Sequence, residues 1–195
     1  INIVDSARGG DITYDVGDSA VTDSTNTVTI ASTESISLTA GGGDDSITVT
    51  PSAATTFTVD GGGQASADTF IYDTAPLTAS PDLQITNGTD GTVAATGSDM
   101  QLDVDYLNME TIDVSGPHLL NPTFDLSTLN GGFLDGTADT IDAGIDGSND
   151  LVIDINSSTF TFTIGAASVD VLEIVGTNDD DTLTLDFDDA LFNAD

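Results

Sequence analysis

Apolar residues recur at every second position along most of this chain. In "SISLTA" (35–40) and "SITVT" (46–50) Ile, Leu and Val alternate with Ser and Thr. That is the period of a strand with one buried face. The same pattern runs through "TVTIA" (27–31), "TFTVD" (56–60), "TFIYD" (69–73), "DLQIT" (82–86), "QLDVDYL" (101–107), "ETIDVSG" (110–116), "LVIDI" (151–155), "TFTFTIG" (159–165), "VLEIVG" (171–176) and "TLTLDF" (182–187). Clusters of Gly, Asn, Asp, Pro and Ser separate the runs, as turn chemistry requires. No segment holds a 3.6-residue apolar stripe over three turns, and "DDALFNAD" (188–195) has room for one short helical turn. The pattern predicts an all-β chain.

A short signature, Asp-Ser/Thr-apolar, opens several of these runs. It occurs at Asp45-Ser46-Ile47, Asp68-Thr69-Phe70, Asp139-Thr140-Ile141 and Asp181-Thr182-Leu183. The separations are uneven: 68 − 45 is 23, 139 − 68 is 71 and 181 − 139 is 42. "METIDVSG" (109–116) repeats the incoming strand with a different turn after it. A degenerate repeat of this kind predicts an irregular parallel β-solenoid with a ladder of Ile, Leu, Val and Phe inside. A β-sandwich with long acidic loops is the alternative that the uneven spacing keeps open. "SGPHLLNPT" (115–123), with two prolines and the only histidine, reads as a protruding loop or a seam within one domain spanning 1–195.

Charge then narrows the function. Arg8 is the single cationic side chain against 34 acidic ones, a formal net charge of −33. Only Glu34, Glu110 and Glu173 are glutamates, so 34 − 3 leaves 31 aspartates. The shorter acid favours turns and supplies the hard oxygen ligands of calcium. Nucleic acid and anionic membranes are excluded as partners, since no cationic surface exists. Without cysteine there is no disulfide or thiolate site. No run approaches the ~20 apolar residues of a membrane-spanning helix. The start, "INIVDSARGG", lacks the charged and apolar regions of a signal peptide, so a mature product or an excised piece is expected.

Four stretches are candidate calcium loops. "AGGGDDSIT" (40–48) offers Asp44 and Asp45 behind three glycines, and "DGGGQASAD" (60–68) offers Asp68. "DAGIDGSND" (142–150) offers Asp142, Asp146 and Asp150, without the closing glutamate of an EF-hand. "NDDD" (178–181) offers Asp179 and Asp181, whose mutual repulsion an ion would relieve.

"AGGGDDSIT" resembles the repeats of haemolysin-type (RTX-like) calcium-binding proteins, Gly-Gly-x-Gly-x-Asp followed by x, an apolar residue and x. Gly41, Gly43, Asp45 and Ile47 match, with Ala40 in the first glycine position. In "GTNDDDTLT" Asp181 and Leu183 match while Asp179 takes a glycine position, and in "GIDGSNDLV" Asp150 and Val152 match with Gly147 displaced. The repeats are never back to back, so a regular β-roll is not implied. "YLNMETIDVSG" and "VDVLEIVGTNDDDTLTL" are similar to units scattered through giant bacterial surface and secreted proteins. The resemblance implies an extracellular or cell-surface location, calcium-stabilised β-structure, and a role in a surface layer, matrix fibre or adhesin.

Catalysis has little to work with. His118 is the only histidine, the side chain best suited to general acid–base work, and it lies between a proline and two leucines. The glycine-rich stretches lack the lysine of a phosphate loop. The expectation is a non-enzymatic structural module, self-assembling through its strand edges. A carbohydrate-binding or polysaccharide-processing β-helix is the alternative, with carbohydrate as its partner.

Overall fold

The computed structural model describes residues 1–5, 7–64, 67–87, 90–125, 138–156, 160–165, 169–176 and 180–186. Each of the twelve alternating runs contains a strand, and among the described residues the only helical element is a 3-10 turn at Gly97–Asp99. The proposed helical turn at 188–195 lies outside the described residues.

Among the described residues, two sheets hold nearly all the strands. The first has eight, in the order β1 (Asn2–Val4), β5 (Ser35–Thr39), β8 (Thr56–Asp60), β13 (Val104–Leu107), β12 (Gly91–Thr96), β11 (Asp82–Asn87), β15 (Asn121–Asp125) and β19 (Glu173–Val175). The second has ten. It runs from β4 (Thr27–Thr29) through β3 (Ala20–Asp23), β2 (Thr13–Val16), β7 (Ser46–Val49), β10 (Thr69–Asp73), β14 (Thr111–Ser115), β18 (Phe160–Gly165), β17 (Asp150–Ile155) and β16 (Thr140–Ile145) to β20 (Thr182–Asp186). A pair of two-residue strands, β6 (Gly42–Gly43) and β9 (Gly63–Gln64), bridges one corner.

The chain crosses from the first sheet to the second in successive rungs: β1 to β2, β5 to β7, β8 to β10 and β13 to β14. Rung stacks on rung in parallel, so Ile36 faces Phe57 in one sheet and Ile47 faces Phe70 in the other. The all-β class is as the alternation predicts, but the sheets are mixed rather than wholly parallel. Antiparallel pairs β11–β12 and β16–β17 are interleaved among the rungs, and β2–β3–β4 turns back antiparallel at one end. Short turns permit only antiparallel pairing. These hairpins also account for part of the uneven repeat. Rungs that follow directly are 23 residues apart (68 − 45), whereas Glu110, next in register, comes 42 later (110 − 68) because β11 and β12 intervene.

The expected loop at 115–123 is partly strand. Leu120 and Phe124 are buried, and β15 lies between β11 and β19. Pro122 is tolerated in this interior strand because the β19 side bulges. The offset is 49 at Leu120–Val169 (169 − 120) and 50 at Thr123–Glu173 (173 − 123), so one extra residue lies opposite the proline. Bulges are where a residue without an N–H fits.

The inward side chains of both sheets form one apolar cluster. Leu38, Phe57, Val59 and Tyr106 of the first sheet meet Ile47, Val49, Phe70 and Tyr72 of the second, all fully buried. The rings of Phe70 and Tyr106 stack across the interface at 5.3 Å, and the Tyr106 hydroxyl donates to the Thr86 carbonyl at 2.7 Å. Truncating such an aromatic leaves a cavity that facing sheets cannot close. Phe70→Ala is expected to cost about 3–5 kcal/mol, lowering the melting temperature by about 6–20 °C in calorimetry.

Candidate functional site

The four Asp-Ser/Thr-apolar signatures all sit where a strand of the second sheet begins. Register aligns Thr13, Ser46, Thr69 and Thr111 across β2, β7, β10 and β14. Ile12, Asp45, Asp68 and Glu110 are therefore one position on four successive rungs. At this corner the ladder is completed by side chains. The Ile12 N–H donates to Asp45 Oδ1 at 2.8 Å, the Asp45 N–H to Asp68 Oδ1 at 2.6 Å, and the Asp68 N–H to Glu110 Oε2 at 2.8 Å.

One residue earlier the direction reverses. The Asp44 N–H donates to Asp11 Oδ1 at 3.0 Å and the Ala67 N–H to Asp44 Oδ1 at 3.2 Å. Successive N–H groups of a strand point to alternate neighbours, so adjacent aspartates serve opposite directions. That is why the pair Asp44-Asp45 is needed rather than either alone. Regular backbone pairing resumes one residue on, with the Ser46 N–H on the Ile12 carbonyl and the Thr69 N–H on the Asp45 carbonyl.

The same device operates in the later half. The Asp139 N–H donates to Asp181 Oδ1 at 3.2 Å, and Asn156 Nδ2 donates to Asp139 Oδ1 at 2.8 Å.

The glycines make this corner possible. A Cβ on Gly41 would collide with the carbonyl of Arg8, and one on Gly61 would stand 2.5 Å from Asp68 Oδ2. Gly43 has φ +141° and lies against the backbone of Gly10 and Asp11. The rungs are stacked too closely there for any side chain.

Burial gives the column unusual electrostatics. Asp45 is 1% and Asp68 0% exposed, and among the described residues the Oδ2 atom of each has no hydrogen-bond partner. Burial pushes the Asp68 carboxyl up to about 6, against its hydrogen bond from Asp45, and the charges of Asp45, Glu110 and Asp44 push the same way. Burial likewise raises Asp45, with Asp11 and Asp5 adding to the effect. The one arginine is engaged elsewhere: Arg8 Nη1 lies 2.8 Å from Asp23 Oδ2 and its Nε lies 3.5 Å from Asp5.

The predicted ion-loop residues fall into three groups. Asp44, Asp45 and Asp68 come together in the column, strung along it rather than converging on a point. Asp142, Asp146 and Asp150 belong to the β16–β17 hairpin. There Asp146 Oδ1 accepts from the N–H groups of Ser148 and Asp150 at 2.8 and 2.9 Å, closing the turn. Asp142 stands opposite Asp154 and shares an open groove with Asp146, Asp154 and Asp186. Asp181 caps Asp139, and Asp179 lies outside the described residues. Among the described residues no group of three or more acidic or histidine side chains is gathered around one ion-sized point.

Asp11 and Glu110 belong to the column but were not among the sequence candidates. Glu110 was legible in principle, since Glu110-Thr111-Ile112 is the same signature with one more methylene. Asp11 precedes Ile12-Thr13, which breaks the signature, and only the rung register reveals it.

Comparison with protein-family models, curated proteins and solved structures found no match.

Two outcomes are expected here. Asp45→Ala strands the buried Ile12 N–H and should cost about 1–3 kcal/mol in denaturant unfolding. For pH, the folded-state carboxyl of Asp68 holds its proton more tightly than the unfolded chain does. Its contribution is therefore present below about pH 4 and is lost as pH rises through about 6. Asp68→Asn keeps the Oδ1 acceptor and removes the charge, so the fall in melting temperature between pH 5 and 7 should be shallower than in the parent.

Proposed function

We propose that this chain is a non-catalytic structural module of an extracellular layer, fibre or adhesin, and that calcium stabilises it. The observation that carries the reading is the carboxylate column, where Asp45 and Asp68 are buried on adjacent rungs with an oxygen each left without a hydrogen bond among the described residues. These acids are committed to holding rungs together rather than facing a substrate cavity. The surrounding charge, −33 overall, opposes the compact state through self-repulsion. A hard divalent cation is the natural counter-charge for oxygen ligands of this kind. The likeness of residues 40–48 to calcium-binding repeats points the same way.

A sugar-binding role is less well supported. All three tyrosines, Tyr14, Tyr72 and Tyr106, are buried, and the chain has no tryptophan. Exposed aromatic rings for stacking on a sugar would have to come from elsewhere. The paired carboxylates of the column face backbone amides.

Thermal unfolding in calcium, magnesium and EDTA at constant ionic strength tests the proposal. An ion that binds only the folded state adds about 2.7 kcal/mol at a hundredfold excess over its Kd, or about 5–10 °C for a chain of this size. Calcium should raise the melting temperature by that order and magnesium by less. Superimposable curves in calcium and EDTA would sink the calcium reading.

A further inference from the structure

The two outermost strands of the second sheet match each other in a way that no internal contact requires. β4 (Thr27–Thr29) is one edge and β20 (Thr182–Asp186) the other. Strand directions can be followed across the sheet. From β4 to β3 and β3 to β2 the pairing is antiparallel, so β4 runs with β2. β7, β10, β14 and β18 run with β2. Two antiparallel steps, through β17 and β16, restore the direction, and β20 is parallel to β16. Both edges therefore run the same way.

The polar phases are complementary as well. The Ile30 N–H bonds to the Ser19 carbonyl and the Asp23 N–H to the Asn26 carbonyl. In an antiparallel pair this makes Val28 face β3, and leaves the amides and carbonyls of Thr27 and Thr29 pointing outward. At the other edge the Thr182 N–H bonds to the Asp139 carbonyl across the β16 side, so the amides of Leu183 and Leu185 point outward. A parallel ladder joins a residue with both groups outward to the two residues flanking its opposite number. Leu183 set against Val28 satisfies that rule, with its N–H on the Thr27 carbonyl and its carbonyl on the Thr29 N–H.

The side chains agree with the same register. Val28 is aligned with buried Val21, while Leu183 and Leu185 are aligned with buried Ile141 and Ala143, so all three share the core face. Yet they are 46%, 48% and 54% exposed. In this register Val28 meets Leu183 on that face, and Thr27 and Thr29 meet Thr182 and Thr184 on the other. Within the two strands there is no lysine, proline or inward-pointing charge to discourage pairing; Asp186 is the only charged residue in either strand.

We propose that a second copy of this chain docks head to tail, its β4 adding in parallel to β20 with Leu183 opposite Val28. The two surfaces differ, so the contact is heterologous, and its repetition builds an open filament unless the rotation between copies closes a ring. This deepens the structural reading above and does not depend on calcium being the counter-ion.

A cysteine pair tests it, since the chain contains no cysteine. Thr27 of one copy and Thr182 of the next would lie about 4.8 Å apart in the proposed register, within disulfide reach. Thr27→Cys and Thr182→Cys chains, mixed in equal amounts at about 0.15 M salt and oxidised, should give the mixed dimer several-fold over a Thr48→Cys and Thr182→Cys control. The double variant should give a ladder of multimers. Thr29→Pro removes only an outward amide, and should abolish the ladder in that background while leaving the melting temperature within a few degrees. Mixed dimer no greater than the control, or a ladder that survives Thr29→Pro, would overturn the proposal. Running each arm in calcium and in EDTA separates the two readings: a calcium-insensitive melt with an intact ladder defeats the ion alone, and a calcium-dependent melt without a ladder defeats the assembly alone.

Discussion

A backbone amide buried at a corner must find an acceptor, and the rest of this structure depends on how that demand is met. Where the chain passes from one sheet to the other at residues 44–45 and 67–68, two consecutive amides bond to carboxylates instead of the carbonyls of the neighbouring rung. Carboxylates from adjacent rungs take their place, Asp45 for Ile12, Asp68 for Asp45 and Glu110 for Asp68 in one direction, Asp11 for Asp44 and Asp44 for Ala67 in the other. An ionised acceptor makes a stronger bond than a neutral one. The strand that follows is therefore held in register from its first residue, and register decides which side chains enter the core.

This solution creates the electrostatic problem of the molecule. Each added rung brings another carboxylate into line with the last, in a region where burial penalises charge. Lysine or arginine partners would neutralise the column, but the single arginine lies beside Asp5 and Asp23. Protons and metal ions are the remaining counter-charges. The carboxylates that hold the rungs together are thus also the groups whose charges oppose one another.

The glycine-rich stretches and the interleaved hairpins have separate causes. Gly41, Gly43 and Gly61 are demanded by close approach of neighbouring corners, independently of any ion. The hairpins change the spacing between rungs without changing the rung itself, because β12 and β11 return the chain to the direction of β13 before β15 adds. Sequence distance is thus a poor guide to the repeat, while the residue opening each strand is a good one.

Alternation by itself determined that the chain is all-β and where most strands lie, because period-two burial is a local property that each run shows alone. The Asp-Ser/Thr-apolar signature likewise marked the corners, and Asp45, Asp68, Asp139 and Asp181 all proved to be at strand starts. Other elements were too weakly patterned to read: β15 contains a proline, β16 reads "TIDAGI", and β6 and β9 are two residues each. What only the tertiary structure decided was partnership. Whether two strands pair in parallel or antiparallel, which carboxylate meets which amide, and that Asp11 joins the column depend on residues tens of positions apart. Asp45 and Asp146 both lie in Gly- and Asp-rich stretches, yet Asp45 caps a neighbouring rung and Asp146 closes its own turn; which amide each reaches is settled in space.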